Sequence, residues 1–410
     1  MTIKLRNGLS GVSRGIDYNG LKRFRESSNQ EYRQSFMEEF QKGLEEGHLQ
    51  PGPFSIRRLW EALVENGREM VDSWHPENQG SSRVRLEEAG GATMSADFTS
   101  INGQIVYAAV LEAWNNPNFI HPDLVEDIQT PFSGEKIAGI GNLGDVSQVV
   151  REGDPYPTAT VSPEYIETPQ TTKRGFLVPV TKEAIFFDRT GLLLQRVKDV
   201  TQSMLISKEK RCLDMVLGVT SSYRRNGSAA QTTYATSHTN GDFSNLKTSN
   251  GLVDYTNIEA AELMFDAISD PNTGEPVMID RTNMQLLVPR ALEYVAAYVQ
   301  NKTNQIHRGI DQGGGAATFL TKTTGQNPLK NMYSIISNAY VYLRGSSNTS
   351  WWIGDFKRAF KYRQNWPITP VTIPASSHEE IHNDIVQNTK ISEMGTPSCE
   401  NPWYVLKNTA

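Results

Sequence analysis

The chain has 410 residues, 38% hydrophobic and 9% aromatic, enough to bury a sizeable core and too long for a single small one. Its net charge of −6 and its lack of any dense basic stripe exclude a protein that grips nucleic acid mainly through phosphates. Two cysteines, Cys212 and Cys399, are too few for a disulfide framework and fit a reducing compartment.

The opening residues carry no apolar core, so no secretory signal is expected, and no apolar run approaches the ~20 residues that cross a bilayer. Residues 1–91 are dense in both charge signs and read as a helical extension. Phe36, Phe40 and Leu44 keep helical spacing, and Glu38, Glu39, Lys42, Glu45 and Glu46 form a solvated face. A second helix is expected after Pro51-Gly52-Pro53, with Ser55 at its N-cap and Leu59, Ala62 and Leu63 on one face. The stripe is too narrow to make a core alone, so this part reads as an arm, joined through a Gly- and Ser-rich linker over 77–92.

From Asp97 the texture changes. Ser100 is placed to cap a helix running to about Asn115, with Ile101, Ile105, Ala108 and Leu111 on one face and Asn116-Pro117 ending it. After a Gly-rich passage, Val146 to Val150, the turn Glu152-Gly153-Asp154-Pro155-Tyr156-Pro157, and a return through Glu164–Thr172 to Phe176–Val180 read as one long β-hairpin. A two-stranded ribbon is marginal in water, and its open edges invite another chain. Such a hairpin is expected to lie on a neighbouring copy.

Thr190 to about Gly218 holds the longest helical pattern, on the order of 40 Å at ~1.5 Å per residue. Leu193, Val197, Val200 and Met204 keep one face, which Cys212, Met215 and Val216 resume. Lys208, Glu209, Lys210 and Arg211 fall at the slip and are expected to face solvent. A Ser/Thr/Asn-rich loop region follows over 221–251. Thr256 and Glu259 have capping-box spacing ahead of Ile258, Ala261, Phe265 and Ile268. Met284–Val288 reads as a buried strand and Leu292, Val295 and Val299 as a helix. Ser334–Ile336 and Ala339–Leu343 read as strands, and from Trp351 the chain is mostly strand. The fold class is α+β, without βαβ alternation or solenoid repeats.

Two catalytic-looking motifs fail on context. Gly139-Ile140-Gly141-Asn142-Leu143-Gly144 fits GxGxxG, but Asp145–Val150 alternates like a strand where a dinucleotide site needs a helix. His378-Glu379-Glu380-Ile381-His382 fits HExxH. Its lead-in Pro374-Ala375-Ser376-Ser377 is polar, and only Glu393 and Glu400 follow as carboxylates, so it reads as a polar surface turn. The remaining histidines are scattered, and no nucleophile elbow, Walker loop or CxxC pair occurs. No catalytic, cofactor-binding or metal residue is therefore assigned.

The order of arm, hairpin, rod helix, mixed lobe and closing strands resembles the Hong Kong 97-type fold of tailed-bacteriophage major capsid proteins, in particular the Mu-like head-protein branch. The resemblance is carried by Asp97-Phe98, Glu152–Pro157, Val180–Ile185 with Asp188–Gly191, and Leu286–Pro289 with Ala291–Glu293. Farther on, Trp352–Asp355, Lys357–Phe360, Asn365–Pro367, Ile391–Gly395 and Asn401–Val405 carry it too. It covers roughly residues 95–410, and nothing in 1–90 matches. It implies a division into an extension (1–91), an N-arm (92–133), an E-loop (134–183) and a P-domain spine helix (184–220). An A-domain (221–345, part of it returning to the P-domain) and P-domain C-terminal strands (346–410) complete it.

The implied function is a non-enzymatic shell subunit that assembles as pentamers and hexamers around double-stranded DNA in the virion, built in the host bacterial cytoplasm. The implied partners are copies of the chain itself, a portal protein, and scaffold or decoration proteins, with weak non-specific DNA contact and no membrane. Some relatives link subunits through a lysine and an asparagine; Lys136 and Lys173 lie in the hairpin region, and no sequence signal selects them. A bacterial nanocompartment shell is the alternative within the fold, and a zinc peptidase using the 378–382 segment is the enzyme alternative.

Overall fold

In the computed structural model, residues 18–27, 29–47, 49, 55–63, 92–138, 150, 164–181, 184, 192–238, 243–269, 275–301, 329, 332–374 and 385–410 are described. The 139–144 glycines, the 152–157 turn, the 77–91 linker and the 378–382 segment lie outside them. The chain forms two compact units, each assembled from three stretches: Met1–Pro117, Lys173–Ser207 and Trp366–Met394 in the first, and the remainder in the second.

The first unit is built around helix packing. Asn29 accepts the Glu31 N–H and caps helix α2 (Gln30–Glu45), which follows α1 (Tyr18–Glu26). Phe36, Phe40 and Leu44 are buried on one face of α2, as their spacing predicts. Helix α3 (Ile56–Leu63) follows directly after Ser55 and buries Leu59, Trp60, Ala62 and Leu63. These stripes meet α4 (Ala92–Trp114), where Trp60 packs edge-on against Phe98 at 4.9 Å. The result is one continuous core with Ile101, Ile105, Val110 and residues of later segments. A stripe too narrow to form a core alone thus becomes half of one.

Helix α4 starts well before the expected cap at Ser100. Phe98 already belongs to the buried stripe, so packing extends the helix N-terminally past the residue that looked like its cap. The strands of this unit are β4 (Thr172–Thr181) and the portions of β9 (Phe360–Pro374) and β10 (Ile385–Cys399) that fall in it, ordered β9-β10-β4. Phe176–Val180 therefore joins a sheet of the body, a correction to its expected role as the return strand of the hairpin. At Gly175 a side chain would meet the Ile391 carbonyl at 2.5 Å, so only glycine allows the approach.

The rod helix α6 (Leu192–Val216) has its residues through Ser207 in the first unit and the rest in the second. In the second unit α5 (His121–Leu124) leads into β1 (Glu126–Gln129), which pairs in parallel with Lys361–Gln364 of β9. Strands β2 (Lys136–Ala138) and β3 (Tyr165–Glu167) form a separate antiparallel pair.

A five-stranded sheet carries the rest, in the order β5-β11-β8-β6-β7: Leu246–Lys247, Val405–Asn408, Trp351–Gly354, Gln285–Val288 and Ser334–Ser337. Helices α7 (Tyr255–Asp266), α8 (Arg290–Asn301), α9 (Ala339–Gly345) and α10 (Phe356–Ala359) complete the unit. Its buried residues fall into two clusters, one holding Trp352, Tyr362 and both cysteines, the other Phe243, Trp351 and Trp403.

Two local expectations change here. The capping pair of α7 is Asp254 with Asn257, not Thr256 with Glu259: Asp254 accepts the Thr256 N–H at 2.9 Å, and Asn257 accepts the Asp254 N–H at 3.1 Å. Ala339–Leu343 is helical, not a strand. Asn338 caps it through the Tyr340 N–H at 3.0 Å, and only Val341 is buried, so the alternating Tyr-Val-Tyr pattern carries no sheet face.

Candidate functional site

The features that can act on another chain are the two-stranded ribbon and the charged anchors beneath it. Strand β2 faces β3 in the register Lys136↔Glu167, Ile137↔Ile166 and Ala138↔Tyr165. Most side chains of the pair are exposed or half-buried, and Ile166 alone is buried. Lys136 lies over the Tyr165 ring at 4.4 Å and 3.5 Å from Glu167. Lys173, the other hairpin-region lysine, lies 5.9 Å over the Trp366 ring in the first unit.

The ribbon is tied to the rest of the second unit. The Asn226 N–H donates to the Tyr165 carbonyl at 2.9 Å, and the Glu167 N–H donates to the Arg224 carbonyl at 3.0 Å. Glu164, the residue before β3, accepts Arg225 Nη2 on both carboxylate oxygens at 2.5 Å, and both side chains are buried. The Arg225 guanidinium lies 5.6 Å over the Trp403 ring. Glu135, the residue before β2, is 3.9 Å from Arg363 Nη1, while Arg363 Nε donates to Glu400 at 2.8 Å. Thr168 accepts the Glu135 N–H at 2.8 Å and gives its own N–H to the Glu135 carbonyl at 2.9 Å.

The second half of the rod helix carries charge inward. Lys208 and Glu209, expected at the surface, are buried. Glu209 accepts the backbone N–H groups of Ile120 and His121 at 3.2 and 3.0 Å and lies 2.7 Å from His121 Nδ1. Lys208 donates to Asp127 at 3.2 Å, with the Tyr362 ring 4.2 Å away. Buried charges survive where each has a partner, and these partners belong to α5, β1 and β9. The helix thereby fixes the start of the segment that leads to the ribbon. A slip in an apolar stripe signalled the charges; only packing could turn them inward.

Chemically reactive groups are quiet among the described residues. Burial pushes the Cys212 thiol up to about 12 and raises Cys399 further. His238 stacks on Phe243 at 4.2 Å with Nε2 3.0 Å from Asn245, and burial lowers its pKa. A polar cavity of about 660 Å³ in the second unit holds Glu126, Asp355, Lys357, Arg358 and Lys361. Lys361 pairs with Glu126, Asp355 accepts the Arg358 N–H at 3.2 Å, and Arg358 lies over Tyr404 at 4.2 Å. Among the described residues no group of three or more His, Cys, Asp or Glu is arranged to hold a metal, and no helix is long and apolar enough to cross a membrane.

The model of the phage capsid protein family matches residues 165–407, more than half of the chain, and the chain belongs to that family. It is therefore a structural protein of the virion shell.

Among solved structures it is similar to the capsid of the cyanophage P-SCSP1u (10% identity, 70% of this chain and 85% of that one, TM-score 0.44). It is also similar to the capsid of a native GTA particle (7%, 72% and 90%, 0.42) and to the mature capsid of bacteriophage PhiM1 (10%, 72% and 87%, 0.42). At such identities and scores the family match is what assigns the class. No curated protein matches the chain.

Proposed function

We propose that this capsid protein is the major shell subunit, assembling as pentamers and hexamers into an icosahedral head that encloses double-stranded DNA. The family match over residues 165–407 carries the reading. In it, residues 134–183 form the E-loop, whose hairpin part before β4 lies across a neighbouring subunit. The spine helix (184–220) and closing strands (346–410) form the P-domain, and 221–345 gather at the capsomer axis. Residues 92–133 are the N-arm, and 1–91 extend it. The edge strand β4 supports a role in assembly, since Phe176 and Leu177 remain 51% and 58% exposed on it. Closed symmetry then turns many modest contacts into a stable shell.

The net charge of −6 supports loose, non-specific contact with DNA, so that packing and release are not impeded. Portal, scaffold and decoration proteins are the expected further partners, and the host bacterial cytoplasm the place of assembly. Electron microscopy of the purified protein tests the proposal. Uniform icosahedral shells or five- and six-fold capsomers are expected, and a persistent monomer at high concentration would sink it.

A further inference from the structure

We infer that the direction in which the ribbon leaves the body is set by a two-point carboxylate–arginine clamp, with Arg225 and Arg363 as positioning residues for contact between subunits. The inference rests on the shell reading above and adds to it the residues that aim the ribbon.

Each strand of the ribbon is preceded by a glutamate held by an arginine of the second unit: Glu164 by Arg225, and Glu135 by Arg363. Because the strands are antiparallel, the two carboxylates sit at opposite ends of the ladder, Glu135 beside the Lys136–Glu167 pair and Glu164 beside the Ala138–Tyr165 pair. A single tether would leave a pivot; tethers at both ends fix an axis. The two are unequal. Glu164–Arg225 is buried, with both carboxylate oxygens engaged, and a buried guanidinium in that geometry has little freedom to swing. Arg363 gives its shorter contacts to Glu400 and reaches Glu135 at 3.9 Å, so it steadies the second strand.

The backbone adds a third constraint. Strand β3 pairs with β2 and also bridges to Arg225 through Ile166, so the root is wider than the ribbon it supports. The need for such a root follows from length. The hairpin read from the sequence would reach roughly 40 Å if extended at ~3.3 Å per residue, and a slack of about 10° at the root would move its tip by roughly 7 Å. That exceeds twice the reach of a hydrogen bond, at about 3 Å. A ribbon that is marginal by itself must therefore be aimed from its base.

The test uses the full chain. Truncating Arg225 alone leaves the Glu164 carboxylate without its arginine and confuses folding with aiming. Replacing both partners, Glu164→Met with Arg225→Met, removes the pair without stranding a charge. This double variant is expected to keep the wild-type melting temperature within a few degrees and to form capsomers, while closed shells counted by electron microscopy fall at least tenfold. Arg225→Lys, which keeps the charge and loses the two-oxygen grip, is expected to fall between.

A folded double variant that closes shells at the wild-type yield would overturn the clamp. Should the double variant not fold, Glu164→Gln is judged by the same criteria. If the wild-type protein itself forms no shells, the shell reading fails alone. The clamp is then read from amide exchange at residues 165–168, expected to quicken at least tenfold in the double variant. Unchanged exchange there refutes it.

Discussion

His238 is the residue whose environment makes a pH prediction. Its ring is buried against Phe243 and bonded to Asn245, and burial lowers its pKa below 6.5. The folded state holds the neutral ring, and the unfolded chain takes up a proton near 6.5. Stability is thus fully present above that value and is lost as pH falls through the depressed folded pKa. Melting temperatures between pH 7 and 5 should show this fall, and His238→Gln, which cannot titrate, should flatten it. An equal fall in the variant would place the acid sensitivity elsewhere. Gly354 makes a second prediction. Its φ of +150° and the Tyr404 carbonyl beside it leave no room for a Cβ. Gly354→Ala should lower unfolding free energy by about 2 kcal/mol or more, read by chemical denaturation.

Among the elements, the N-terminal helices carry a consequence of their own. Leu21, Phe24, Phe36, Phe40, Leu59, Trp60 and Leu63 share one core with Phe98, Ile101 and Ile105 of α4. Fully burying a large apolar side chain contributes roughly 1.5–3 kcal/mol, so this set outweighs the stability of an ordinary domain margin. Deleting residues 1–63 should therefore expose the α4 face and leave an aggregated chain. A soluble truncated protein with an unchanged helix signal by circular dichroism would show that α4 finds its cover elsewhere. The charged residues of the rod helix act oppositely. Lys208 and Glu209 contribute little net burial energy, yet they select one seat for α5 and β1, because any other seat strands a charge.

For the whole molecule, each unit is drawn from three separate stretches, with the ribbon strands in the second and the N-terminal helices in the first. Contacts between distant parts of the chain are therefore required before either core closes, which favours slow folding from non-local pairing. The acidic balance is a property of the sum rather than of any site. Its net charge of −6 adds a mild repulsion between copies that any contact between them must outweigh.

Periodicity was enough to read α2, α3, the rod helix, β6 and α8, because each buries a stripe whose spacing is local information. The hairpin is read from the sequence as alternating strands with too little apolar surface to stand alone; its Val146–Val149 strand and 152–157 turn lie outside the described residues, which hold only the β2–β3 pair. What the tertiary structure decided was everything that depends on a partner distant in sequence. Phe98 extends α4 because Trp60 covers it, and Phe176–Val180 enters a body sheet because β10 offers an edge. Lys208 and Glu209 turn inward because Asp127, Tyr362 and the amides of Ile120 and His121 wait there. The clamp at Glu164–Arg225 and Glu135–Arg363 was invisible for the same reason. A single charged residue in a sequence looks solvated until the fold brings the opposite charge to it, and only burial then makes the pair binding on the geometry.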